Sequence, residues 1–327
     1  MRLSIVIPAY NVEAHIERAI RSAIAAAPPE SEIVVVDDGS SDSTFAAVER
    51  MADRAPVPLR LTAHPDGRNH GPGATRNRGA ELAAGELIAF LDADDEYLPH
   101  RFAADVPLLE REPAADAVCG STRIVSETDA DPRPPLELPA DTLPERVLEA
   151  LLRERFWHAD AFTVRRSLWD RAGGFPTHLR MAEDCQLWFR MAILGRIVPS
   201  PERRPVAVYR RRSGSAHVAG WESKGWLLRA LSETASWTRA TGQSRAVRRA
   251  VCVAARRYFV QAASDALAER RPDVARDYLA IAARDLGWRL WLDRRAARRI
   301  VSIWRSGVSA ARTRNIPADA PNEKRHE

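Results

Sequence analysis

ELIAFLDADD, residues 86–95, is the stretch whose reading decides the fold: an apolar run, Glu86–Leu91, ends in three carboxylates within four positions. A short run without polar alternation suits a strand covered on both faces. If the chain stays extended past Leu91, Asp92 and Asp94 point the same way, because residues two apart share a face. Two carboxylates from one backbone, with positions left for water and phosphate, suit Mg²⁺ or Mn²⁺ beside a diphosphate. Such a cation neutralises charge gathering on a departing diphosphate. The structural alternative is that Asp94 or Asp95 caps a helix starting near Pro99.

Outward from this stretch the same grammar repeats. Residues 3–7 (LSIVI) form a buried strand that Pro8 should end, and VEAHIERAIRSAIAA follows from Val12 at helical period. EIVVV, residues 32–36, is a second strand stopping at DDGSSDST, where Asp42 or Ser43 can cap the next helix. VPLRLTA, residues 57–63, is a third strand, followed by a Gly-rich loop and a helix from about Gly73 to Ala84. ADAFTVRR reads as a further strand and LPERVLEALLRERF as an amphipathic helix; residues 126–144, rich in Pro and acid, read as a surface loop. Strands alternating with helices imply right-handed crossovers and a mainly parallel α/β sheet, with ligands beyond the carboxyl ends of the strands.

Three more polar clusters stand beside Asp92 and Asp94. Asp37 and Asp38, at the end of the second strand, can accept from a base N–H or ribose hydroxyls, or make an Asx-turn and helix cap. NHGPGATRNRG (Asn69–Gly79) places Arg76 and Asn77 in the first turns of a helix; without a following G-K-[ST] it is no P-loop. Glu183 and Asp184 precede CQLWFRMAILG, whose Leu187, Trp188, Met191, Ala192 and Leu194 give a helix with a buried face. Asp184 is either that helix's cap or a general base that takes the proton from an attacking hydroxyl.

Composition bounds these readings. Of the 327 residues, 45% are hydrophobic and 28% charged, ordinary for a soluble protein. Residues 1–220 carry 27 Arg against 33 Asp+Glu, and residues 221–327 carry 22 Lys+Arg against 11, so an acidic part precedes a basic one. Three cysteines without C-x-x-C spacing argue against a disulfide framework and a structural zinc. No apolar run approaches the ~18 residues of a spanning helix, and MRLSIVIPAY has no leader pattern, so the expectation is a cytoplasmic chain. After Trp221 the texture turns to Ala/Arg/Leu-rich helices, with a boundary near 212–221. Residues 1–220 are therefore expected to be the catalytic domain, 221–314 a basic helical region and 315–327 a disordered tail.

Taken together, SIVIPAYN, VVVDDGSSDST, GPGATRNRGAELAAGELIAFLDADD and GGFPTHLRMAEDCQLWFRMAILG resemble, in order and spacing, the family-2 glycosyltransferases of the GT-A fold over roughly residues 1–212. The resemblance implies a nucleotide-diphosphate-sugar donor, a divalent metal (Mn²⁺ or Mg²⁺) and inversion at the anomeric carbon. It implies that Pro8, Ala9 and Tyr10 line the base pocket and that Asp38, with Asp37, holds base or ribose. It places Asp92 on the nucleotide, Asp94 on the metal, Asp184 as catalytic base, and Arg76 and Asn77 near the donor. Where relatives carry a His after the last strand, this chain has Arg210, Arg211 and Arg212, with His217 further on. An arginine there can pair with phosphates; Glu183, Arg212 and His217 are secondary candidates.

The expected partners are the donor and a carbohydrate or lipid-linked acceptor, in cell-surface polysaccharide or glycolipid synthesis. Trp221, Trp226, Trp237, Trp288, Trp291 and Trp304 amid arginines suggest peripheral membrane contact through the C-terminal helices, against the plainer reading of tryptophans packed inward. A sugar-phosphate nucleotidyltransferase would need a Gly-rich basic loop after the first strand, and SIVIPAYNVE has none. A catalytically silent binding protein is the alternative from another class. Nucleic acid is not expected, since no recognised binding module appears.

Overall fold

The computed structural model describes residues 1–126, 138, 142–154, 158–211 and 220–305, and the chain divides into two compact units, Met1–Ala216 and His217–Glu327. Arg212, His217 and the tail 315–327 lie outside the described residues. The first unit runs β1 (Leu3–Ala9), α1 (Ile16–Ala26), β2 (Glu32–Asp37), α2 (Thr44–Ala52), β3 (Leu59–Ala63), α3 (Pro72–Leu82), β4 (Leu87–Phe90), β5 (Glu96–Tyr97), α4 (Asp105–Arg111), β6 (Ala117–Cys119), β7 (Thr122–Ser126), α5 (Val147–Glu154), β8 (Phe162–Arg165), α6 (Arg166–Ala172), α7 (Glu183–Leu194), β9 (Ile197–Pro199) and β10 (Ala207–Arg211).

Seven strands make the main sheet in the order β3-β2-β1-β4-β8-β6-β9. The four strands β3 to β4 are parallel, β8 runs antiparallel to both its neighbours, and β9 is parallel to β6. A mainly parallel sheet flanked by helices is what the alternating pattern required. β1, β2 and β4 are buried almost throughout, which is why they lack polar alternation. A second sheet, β5-β10-β7, stands apart.

Several local expectations are corrected. β1 does not stop at Pro8 but runs to Ala9, with Pro8 opposite Val36. The Ala9 carbonyl accepts from Asp38 N–H on the β2 side, and the Val6 carbonyl accepts from Leu91 N–H on the β4 side. Pro8 therefore turns its missing donor toward β4, whose register with β1 has already ended at Val6 and Phe90. α1 begins at Ile16, with turns leading into it from Val12. At the start of α2 it is Asp42 whose carboxylate accepts from Thr44 N–H, while Ser43 makes no side-chain cap. No helix starts near Pro99: turns lead to α4 at Asp105, so neither Asp94 nor Asp95 is a helix cap. Nor does the chain stay extended past Leu91. Asp92–Asp95 is a turn closed by Asp95 N–H on the Asp92 carbonyl at 3.0 Å.

α3 lies on β1 and β2 through small residues, which allow close approach. A Cβ at Gly79 would stand 2.3 Å from Val6 Cγ1 and 3.2 Å from Val36 Cγ2. α7 buries Leu187, Trp188, Phe189 and Met191, with Trp188 stacked on Phe162 at 3.9 Å; Ala192 and Leu194 are half-buried.

The second unit contains α8 (Trp221–Ala240), α9 (Arg245–Ala268), α10 (Pro272–Leu286) and α11 (Arg294–Arg305). Buried residues at helical spacing, such as Val251, Ala255, Phe259, Ala262 and Ala266 on α9, form its interior. Trp226 is buried, Trp221 and Trp237 half-buried, and Trp291 57% exposed, so the tryptophans divide between packing and surface. α11 buries Ala296, Ile300 and Ile303. Among the described residues no helix is long and apolar enough to cross a membrane.

The contact at Gly79 is testable. Gly79→Ala should destabilise the first unit by about 1–3 kcal/mol, because the added methyl meets β-branched side chains fixed in the sheet. Urea unfolding reads this as a lower midpoint, and an unchanged midpoint would contradict the packing.

Candidate active site

The site assembles around Arg76, in the second turn of α3. Gly71 precedes the helix with φ +85°, and Pro72 opens it, where a missing N–H costs nothing. The Arg76 guanidinium is buried, donating from Nη2 to Asp92 Oδ1 at 2.5 Å and from Nη1 to Glu183 Oε1 at 2.9 Å. It also lies over the Phe175 ring at 5.2 Å. Burial works against its charge, but Asp92, then Glu183, outweigh that, with Asp184 adding, and the group is held well above its ordinary value. One cation thus ties the end of β4 to the start of α7.

Asn77 and Gly73 fix the same junction. The Asn77 amide donates to the Phe175 carbonyl and accepts from the Phe175 N–H, both at 2.8 Å. A Cβ at Gly73 would stand 3.1 Å from the Pro176 carbonyl and 3.5 Å from Glu183 Cγ, so the glycine lets α3 approach. Ala182, just before α7, has φ +61°, a left-handed conformation that alanine seldom adopts. Glu183 is buried, whereas Asp184, the second residue of the helix, is half-buried and accepts from Cys185 N–H. Burial, then the Asp184 charge, pushes the Glu183 carboxyl up to about 7 despite Arg76.

Below the Asp92–Asp95 turn lies a buried group that sequence reasoning missed. Asp160 Oδ1 accepts from Asp92 N–H at 3.1 Å, and Asp160 Oδ2 lies 3.0 Å from His158 Nδ1. His158 Nε2 faces Asp95 Oδ2 at 3.4 Å and Asp92 Oδ2 at 3.7 Å, and the ring lies 4.4 Å from that of Tyr209. Burial opposes a charge on His158, but Asp160, then Asp95 and Asp92, raise it to about 10. Burial, then Asp160, pushes Asp95 well above the carboxylate range, and Asp95 Oδ1 accepts from Arg210 N–H at 2.8 Å. The only signal in the sequence was His158-Ala159-Asp160, just before a strand, where charged residues are rarely buried unless paired.

Asp92, Asp95, His158 and Asp160 offer ligand atoms within 4.8 Å of one another, a grouping that could hold a metal ion. An ion held there would displace the His158 proton, since a charged imidazole has no lone pair to give. Asp92 and Asp94, both half-buried on the turn, present carboxylate oxygens, the donor chemistry of hard divalent cations. Asp94 also offers its carbonyl to Arg18 at 3.0 Å.

The nucleotide candidates sit at the ends of β1 and β2. Asp38 is buried and accepts from His70 N–H at 2.7 Å and Gly71 N–H at 2.9 Å, so it holds the loop that launches α3. Asp37 accepts from Gly39 and Ser40 N–H in an Asx-turn, its other oxygen buried without a hydrogen bond from the described residues. Gly39 needs its φ of +77° there, with the Gly67 carbonyl 2.8 Å from where a Cβ would be. Pro8 and Ala9 line this edge from β1, and Tyr10 is 42% exposed. Arg210 pairs with Glu96 at 2.6 Å.

Known proteins share the family profile and the fold of this chain. Residues 4–174 match the profile of Glycosyl transferase family 2. The chain is 34% identical over 226 residues to the succinoglycan biosynthesis protein ExoO of Rhizobium meliloti, covering 65% of this chain and 62% of ExoO. The chain thus spans less than two thirds of ExoO's length. S. aureus TarS 1–349 superposes with a TM-score of 0.69 at 20% identity, over 94% of this chain and 90% of that one, and has also been solved with UDP-GlcNAc. The mannosyltransferase PcManGT from Pyrobaculum calidifontis, solved with GDP-Man and Mn²⁺, gives 0.56 at 21% identity over 92% and 78%. The fold is that of the GT-A glycosyltransferases.

Glu183 makes the geometry testable without a ligand. Because its folded value is raised, the stability of its neutral form is complete below about 4.5 and is lost as pH rises through about 7. Glu183 should therefore contribute a fall of on the order of 2 kcal/mol between about pH 5 and pH 8, on top of the loss that the raised His158 adds in the upper part of that range, and Glu183→Gln should flatten the slope by the Glu183 share. Urea unfolding across the range checks it; an equal slope in the variant would assign the effect elsewhere.

Proposed function

From the chain's membership of glycosyl transferase family 2, we propose that it moves a sugar from a nucleotide-diphosphate-sugar donor to an acceptor hydroxyl, with inversion, in building a cell-surface polysaccharide or glycolipid. The observation that carries this is Arg76 bound at once to Asp92 and Glu183, because it joins the strand-end aspartates and the acids of α7 in one place.

In this reading Pro8, Ala9 and Tyr10 flank the base, and Asp37 and Asp38 hold base or ribose, the unbonded Asp37 oxygen being one acceptor on offer. Asp92 contacts the nucleotide. Asp94 holds a divalent cation, Mn²⁺ or Mg²⁺, which when bound neutralises charge on the diphosphate leaving group. Arg76 and Asn77 organise the donor side: Arg76 fixes the Asp92 carboxylate, and Asn77 fixes the Phe175 backbone that packs against it. Asp184 removes the proton from the acceptor oxygen as that oxygen attacks the anomeric carbon from the face opposite the leaving group. The proton ends on the Asp184 carboxylate and the electron pair of the broken bond on the diphosphate. An acceptor on a lipid would bring the second unit to an anionic leaflet through exposed Trp291, Arg294, Arg295 and Arg298.

Screening UDP-, GDP- and dTDP-sugars with Mn²⁺ for thermal stabilisation identifies the donor. With that donor, Asp184→Asn should cost about 10²–10⁴ in turnover while leaving donor affinity within about threefold. Equal losses in both would make Asp184 a structural residue. Asp94→Ala should abolish the Mn²⁺-dependent part of donor binding, and wild-type turnover that survives chelation would refute the metal. In co-sedimentation with phosphatidylglycerol vesicles, Trp291→Ser should reduce the bound fraction; an unchanged fraction removes the membrane contact.

A further inference from the structure

The second unit contains a cleft of about 410 Å³ between α8 and α10, within the range of small-ligand sites. Its walls combine aromatic rings, Trp221, Trp226 and Tyr278, with the carboxylates Glu222 and Asp277. The Tyr278 hydroxyl donates to the Trp221 carbonyl at 2.5 Å, bracing the rings across the two helices. Gly225 keeps the floor low, since a Cβ there would already touch the Tyr278 ring at 3.4 Å.

The polar groups say what the cleft would take. No described group donates a hydrogen bond to Asp277, whose neighbours are Asp273, which repels it, and Arg276; burial, then Asp273, pushes its carboxyl up. Glu222 is exposed, and among the described residues its hydrogen-bond contact is a long one, 3.5 Å, from Trp226 Nε1. The cleft's arginines are already neutralised: Arg229 pairs with Glu233 at 2.9 Å, and Arg284 with Glu233 and Asp285 at 2.9 and 3.0 Å. An acyl or isoprenoid chain would bury Asp277 with no donor, at a cost of a few kcal/mol. A phosphate would meet two carboxylates and arginines already paired. A pyranose satisfies both sides, with a C–H face for the Trp221 indole and adjacent hydroxyls that donate to carboxylates.

We infer that the cleft between α8 and α10 binds a saccharide, with the half-buried Trp221 as its platform and Glu222 and Asp277 as hydroxyl acceptors. Its assignment as a subsite for the acceptor glycan, remote from the transferred bond, rests on the proposed transferase activity; saccharide binding itself does not.

The test uses the full chain without donor. Oligosaccharides from partial hydrolysis of succinoglycan, together with a printed panel of bacterial surface glycans, are screened, and hits are titrated by calorimetry. At least one should bind with Kd at or below about 1 mM, weakened at least tenfold by Trp221→Ala and by Asp277→Leu. Asp277→Leu should leave the urea midpoint unchanged or higher, since it removes a half-buried carboxylate without donors, so loss of binding is separable from loss of fold. Mn²⁺-dependent nucleotide binding should be untouched in both variants. No binding across the panel, binding indifferent to both substitutions, or tryptophan quenching by polyprenyl-phosphate vesicles but by no glycan would each overturn the inference. Donor binding that persists in that case leaves the transferase reading standing, whereas its absence with glycan binding intact would sink that reading alone.

Discussion

The first unit depends on one buried guanidinium shared by two acids. Arg76 comes from a helix, Asp92 from beyond a strand and Glu183 from the start of another helix, 16 and 107 positions away. Buried ions are costly unless geometry and hydrogen bonding are both good, so such a contact specifies an arrangement more than it adds stability. The neighbouring contacts brace the chain segments around it. Asp38 holds the loop that begins α3, Asn77 clamps the Phe175 backbone, and Asp160 holds the Asp92 N–H. A site built this way is organised before any ligand arrives, as electrostatic catalysis requires.

Much of the fold was legible because apolar runs such as Leu3–Ile7, Glu32–Val36 and Glu86–Leu91 have no use except in a strand covered on both sides. The helix bearing Trp188 showed its period, and the acids at strand ends announced a site. What escaped notice shares a different cause. Asp95, His158 and Asp160 are buried by partners far away in sequence, and no local pattern separates a buried Asp from a solvated one. The turn at Asp92–Asp95 was also invisible, since nothing in Asp92-Ala93-Asp94 shows that a distant carboxylate will hold the Asp92 N–H. Pro8 misled for a related reason: whether a missing donor matters depends on which neighbouring strand has already ended.

The second unit obeys a looser rule. Its interior is alanine and small aliphatics with a few aromatics, and its arginines lie mostly outside, so sequence periodicity located the helices. It could not say which tryptophans face inward. The answer is mixed: Trp226 packs, Trp291 is exposed, and the face of α11 that carries Ala296, Ile300 and Ile303 is buried. An amphipathic basic helix is therefore poor evidence for a membrane when its apolar face already has a neighbour within the protein.

Glu183 and Asp184 show why geometry must precede titration in assigning a base. By value alone Glu183 is the better candidate, since burial moves its carboxyl to about 7, close to a working pH. Yet Glu183 is buried, and its Oε1 is held by Arg76 at 2.9 Å, so it is committed to the contact that assembles the site. Asp184, one residue on, is half-buried at the first turn of α7. The strained backbone at Ala182 fits this division. A left-handed residue stands immediately before a helix that starts with a buried Glu183 and a half-buried Asp184, and strain of about 1–3 kcal/mol is tolerated where the surrounding structure fixes it. In the proposed reaction the inner acid positions and the outer acid meets the substrate.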